Sequence, residues 1–117
     1  MFKAGDVIRL HDRWVRPPKP KWHVVISIEA QRFLRINSKN LFDAAHLLRA
    51  SDCEFLHHDS FVELGAMVRH FPGEIDNAEY VGALTLSVLS ELCLSVKTAR
   101  TLSENDKSFI LERLQPR

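Results

Sequence analysis

Apolar residues gather in short β-branched runs over 7–10 and 22–28, alternate with polar ones over 33–37, and recur every three or four positions beyond residue 85. The first two patterns predict strands and the third predicts helices. A strand over 7–10 follows the turn pair Gly5-Asp6. Pro17, Pro18 and Pro20 withhold backbone donors from the segment 11–21, which reads as a stiff, extended loop outside regular structure. The strand predicted over 22–28 is rich in Val and Ile, and a hairpin-length connection separates it from 33–37. In that second strand Phe33, Arg35 and Asn37 share one face while Leu34 and Ile36 share the other. The two strands are expected to pair antiparallel.

Residues 41–48 fit either a helical turn, favoured by alanine, or an excursion followed by a strand at 46–49. Alternation predicts a strand over 61–64, with Gly65 marking a bulge and 67–71 continuing the ribbon. Pro72-Gly73 signals a turn, and 79–83 reads as a last short strand. Leu86, Leu89, Leu92, Cys93 and Val96 then form one apolar stripe, with Thr85 placed to cap its start and Lys97 in its last turn. A second helix starts at Ser103 and carries Phe109, Ile110 and Leu114 before Gln115-Pro116 ends it. Strands followed by helices predict an α+β chain. The expectation is a single domain over 1–117: a small, strongly bent antiparallel barrel over about 1–83, and a tail over about 84–117 whose one or two helices cover an open side.

At 117 residues and 45% hydrophobic, the chain suits one core without disulfide staples. Cys53 and Cys93 stand apart with no C-x-x-C spacing and read as reduced, buried thiols. No apolar run is long enough for a signal peptide or a membrane span, so a soluble, cytoplasmic protein with no membrane partner is expected. The formal net charge of +1 conceals a division. Residues 1–40 carry nine Lys/Arg against three acids, and the remainder carries seven against twelve. Such asymmetry points to a polyanionic partner on the basic side.

The basic excess peaks where Arg13, Arg16, Lys19 and Lys21 interleave with Trp14 and Trp22. Cations supply phosphate contacts and indoles offer stacking faces, the division of roles found in single-strand binders. A solvated loop with its Trp side chains packed back on the core is the plainer reading. Pairing of 22–28 with 33–37 adds His23, Arg35 and Lys39 to the nucleic-acid-binding candidates and brings Lys19 and Lys21 beside Ser38 at one sheet edge. Cleavage of RNA without a metal needs a proton acceptor near the 2′-hydroxyl, a cation for the phosphoryl oxygens and a donor to the leaving oxygen. Lys19, Lys21 and Ser38 suit two of these roles, and His58 or Asp59 could carry protons. Against this, Asp59 and Ser60 also suit a turn that bonds backbone donors. The histidines and cysteines match no zinc-ligand spacing and glycine never clusters, so neither a metal nor a cofactor is expected.

Gly5-Asp6-Val7-Ile8, a polar loop, Lys19-Pro20 leading into the apolar run at 24–27, and then 33–39 are together similar to the opening of MazF/PemK-like toxins. The similarity extends to the acid-led strand at Asp59-Ser60-Phe61-Val62 and the terminal helix over 102–114. Lys19 stands where such toxins carry Arg, keeping the charge without the planar fork, and Asn37-Ser38 replaces a threonine-rich strand end. The resemblance implies an SH3-like barrel with appended helices, a homodimer, metal-independent endoribonuclease action on single-stranded RNA, and a cognate antitoxin that covers the RNA groove. Two alternatives remain open: a non-catalytic SH3-like barrel that holds nucleic acid or a protein, and a gyrase-directed poison resembling CcdB.

Overall fold

The computed structural model describes residues 1–40 and 44–116. β1 (Asp6–Asp12) and β2 (Lys19–Ser27) form an antiparallel hairpin in register from Val7↔Val24 to Asp12↔Lys19. The expected eleven-residue loop is therefore shorter, confined to 13–18, and Pro20 lies inside β2 opposite His11. A strand tolerates proline where the missing N–H would point away from the ladder. β3 (Arg32–Asn37) returns along β2 through Gln31, whose φ of 58° closes the turn, and places His23 opposite Arg35.

β4 (Ala45–Leu48) pairs with β5 (Ser60–Glu63), so the strand alternative holds and the helical one fails for 45–48; positions 41–43 lie outside the described residues. β5 and β6 (Val68–Arg69) both pair with β3, at Ile36↔Val62 and Phe33↔Val68. Six residues of the one ribbon thus span three of the other, and the excess bulges out around Gly65 as its position foretold. Pro72-Gly73 opens a short helix, α1 (Pro72–Asp76), where only a turn was expected, with proline at a position that needs no N–H partner. β7 (Glu79–Ala83) pairs with β1.

The strand order is β4-β5-β3-β2-β1-β7 with β6 on β3, every pairing antiparallel. The fold is α+β, but across the described residues the seven strands form a sheet with β4 and β7 at its edges, not closed into a barrel, where a strongly bent barrel with helices over its open side was expected. α2 (Leu86–Thr98) and α3 (Glu104–Leu114) start where their caps predict: Thr85 Oγ1 accepts from Val88 N at 3.3 Å and Ser103 Oγ from Asp106 N at 3.1 Å. Among the described residues no helix is long and apolar enough to cross a membrane. Cys53 and Cys93 are buried free thiols.

The sheet is buried on two faces. Val7, Val24, Ile26, Leu34, Ile36 and Val62 join Leu92, Val96, Ile110 and Leu114 of the helices in the main core. Ile8, Leu10, Val25 and Phe33 point the other way, toward Ile75 of α1. Period-two alternation continues that second face outward along each strand to Asp12, to His23 and Lys21, and to Arg35 and Asn37. Polar side chains therefore extend a small apolar core, and the functional question centres on them.

Candidate functional site

Antiparallel pairing brings the start of β2, the end of β3 and the start of β5 to one edge of the sheet. A groove of about 420 Å³ opens there, lined by Lys19, Pro20, Lys21, Trp22, Ile36, Asn37, Ser38, Leu56, His57, His58 and Ser60. Lys19, Ser38, His57 and His58 are exposed, whereas Lys21 is half-buried and its ammonium donates to Asn37 Oδ1. Burial, reinforced by the charge of Arg35, lowers the Lys21 pKa. His58 Nδ1 lies 2.9 Å from the Asp59 carbonyl oxygen, which can only accept, so that nitrogen carries a proton. In the neutral ring Nε2 is then left with a lone pair.

Behind the groove floor lies a connected ion-pair network. Asp12, fully buried, receives Arg35 Nε on Oδ2 at 2.6 Å and Arg35 Nη2 on Oδ1 at 3.2 Å, and Trp14 N also donates to Oδ1 at 3.0 Å. The other arm of Arg35 reaches Glu63 Oε2 at 3.0 Å. Burial works to raise the Asp12 carboxyl, yet its bonds with His23 and Arg35 hold it far below the usual carboxylate range. Burial opposes the Arg35 charge as well, and Asp12 and Glu63 more than restore it. Removing one member of such a network leaves an uncompensated buried charge, at a cost of about 3–5 kcal/mol. Beside Asp12 lie His23 and His70, both fully buried, with ring centroids 4.7 Å apart. Burial, with the neighbouring His23, pushes the His70 pKa down to about 4.

The groove gathers Lys19, Lys21, Trp22, Ser38 and His58 from the residues that the sequence singles out. The others lie elsewhere. Asp59 is turned to the backbone: its Oδ1 accepts from Ala50 N at 2.9 Å, a bond to a backbone donor of a separate segment and not within its own turn. His23 is buried beside Asp12, and Arg35 is occupied by two carboxylates, so neither reaches a nucleic acid as expected. Arg13 pairs with Glu74 at 3.0 Å and lies over the Phe71 ring, while Trp14 donates to Arg69 O at 2.8 Å. Both therefore sit toward α1, away from the groove. Trp22 turns an edge contact to Phe55 with ring centroids 6.0 Å apart, as the plainer reading of packed indoles has it. Arg16 and Lys39 are exposed outside the groove lining.

Sequence reasoning noticed Asn37, His57, Ser60 and His70 without counting them among the site residues, and missed Asp12 and Glu63 behind the groove. A signal existed for Asp12, which continues the Ile8-Leu10 face outward. No family model matches the chain, and no curated protein is detectably similar to it in sequence.

Proposed function

We propose that the groove binds single-stranded RNA and cleaves it without a metal, by attack of a 2′-hydroxyl on the adjacent phosphate. The observation that carries this reading is the convergence of Lys19, Lys21, Ser38 and His58 from three separate segments on one open groove. A volume of about 420 Å³ suits a nucleotide-sized group. The Lys19 and Lys21 ammonium groups face the phosphoryl oxygens, on which negative charge builds in the transition state. His58 Nε2 takes the 2′-hydroxyl proton as the O2′–P bond forms, and the P–O5′ bond breaks as the 5′-oxygen takes a proton from the Lys21 ammonium, whose lowered pKa suits it to donate. Ser38 and Asn37 hold the phosphate in line. The products are a 2′,3′-cyclic phosphate and a 5′-hydroxyl.

The same reading includes the finer fold assignment, an SH3-like barrel that has opened, with β3 paired along one side to β2 and along the other to the bulged β5–β6 ribbon. It also carries the likeness to MazF/PemK-like toxins, with a homodimer and an antitoxin covering the groove. Exposed lysines contribute little to folding, so catalytic and structural roles separate under mutation. Lys19→Ala, Ser38→Ala and His58→Ala should leave the melting temperature nearly unchanged, whereas Lys21→Ala also deprives buried Asn37 of its partner and should lower it; whichever of the four removes a catalytic group should lower RNA cleavage by about 10²-fold or more. Four variants that cleave like the parent would overturn the assignment. A parent that binds RNA without cutting it would replace the enzyme with a binding module.

A further inference from the structure

Asp12, His23 and His70 are each 0% exposed, and one donor atom from each lies within 4.8 Å of the other two. The hydrogen-bond directions among them leave one short contact without a proton of its own. His23 Nδ1 lies 3.0 Å from the Lys21 carbonyl oxygen, which can only accept, so Nδ1 bears a proton. The opposite nitrogen, Nε2, faces two atoms at once: Asp12 Oδ2 at 3.1 Å and His70 Nε2 at 3.0 Å. If Nε2 is unprotonated, its lone pair meets a carboxylate. If it is protonated, its one N–H cannot point along both directions. His70 Nδ1 is buried without a hydrogen-bond partner, 3.9 Å from Glu74 Oε1.

We infer that Asp12 Oδ2, His23 Nε2 and His70 Nε2 are ligands of a divalent transition-metal ion of the zinc class, held as a structural centre. One ion among the three atoms would replace both short contacts of His23 Nε2 with bonds to a single centre. Tetrahedral zinc with bonds of about 2.0–2.1 Å holds its donors roughly 3.3–3.5 Å apart, close to the two short separations here. Two nitrogens and one oxygen are donors that zinc accepts, with water filling the fourth position. Two of the ligands also have outer partners of the kind that orient metal ligands, the Lys21 carbonyl for His23 and Arg35 for Asp12, while the Glu74 carboxylate lies 3.9 Å from His70 Nδ1.

Full burial means that the ion enters as the chain folds and contributes to folding. The centre would fasten β1, β2 and the segment before α1 together behind the groove, and it stands independently of the groove's chemistry.

The test is to unfold the purified chain, refold it with Zn²⁺ or with chelator, dialyse, and measure bound metal and melting temperature. About one equivalent of zinc per chain should survive dialysis, with a melting temperature above that of the chelator-refolded protein. Refolding with Co²⁺ should give the visible d–d absorption of a four-coordinate site. His70→Gln, folded by circular dichroism, should lose both the metal and the shift, whereas the double variant His57→Asn with His58→Asn should keep them. A parent that retains no zinc and shows no shift overturns the assignment and leaves the three side chains sharing a proton. Loss of zinc from the groove double variant also overturns it, placing the metal on the exposed histidines.

Discussion

His46 shows how burial decides what a single residue can do. It sits on β4 facing α2, with Nδ1 2.6 Å from Ser95 Oγ and Nε2 buried without a partner. Burial lowers its pKa from the ordinary 6.5, and the charge of Glu91 opposes this without reversing it. A histidine whose folded pKa is depressed adds stability above its unfolded value, and this is lost as pH falls through the folded value. The parent should therefore lose stability as the pH drops below about 6.5. In His46→Gln, urea midpoints measured across this range should fall less steeply. Equal slopes in the two proteins would show that His46 titrates alike folded and unfolded.

Elements were the scale at which the sequence spoke most clearly. β-branched runs located β1 and β2, alternation located β3 and β5, and Thr85 and Ser103 marked both long helices, because these signals depend on neighbouring residues alone. The loop predicted over 11–21 shrinks to 13–18 because pairing with His11 keeps Pro20 in β2. Half of the candidate site was legible for the same reason: Lys19, Lys21 and Ser38 meet through one hairpin. Asp12, Glu63 and His70 were not, since their partners lie 23, 28 and 47 positions away, respectively. Asp59 belongs to this scale too, because it ties the segment bearing His57 and His58 to the 3₁₀ turn Ala50–Asp52. Asp59→Ala should cost about 0.5–1.5 kcal/mol in chemical denaturation, the worth of one such hydrogen bond. Unchanged stability would mean that the bond to Ala50 N is idle in solution.

Across the whole molecule, the two faces of one bent sheet carry different tasks. The face toward α2 and α3 holds most of the apolar core, and the opposite face passes from Ile8, Leu10, Val25 and Phe33 into charged groups at the groove. The basic first third accordingly divides: Lys19 and Lys21 go to the groove, Arg13 to α1, and Arg35 to buried carboxylates. A net positive sequence segment is thus spent partly on holding the fold together, and only the remainder can meet a polyanion. Our proposal is that this remainder, with Ser38 and His58, cleaves RNA. Its most direct test is to incubate the purified chain with single-stranded RNA oligonucleotides and determine the ends of the products by mass spectrometry. Fragments ending in 2′,3′-cyclic phosphate and beginning with 5′-hydroxyl are predicted, and they should be lost or strongly reduced with Lys21→Ala or His58→Ala. Intact RNA after prolonged incubation, or fragments with the same ends and yield from both variants, would contradict the account.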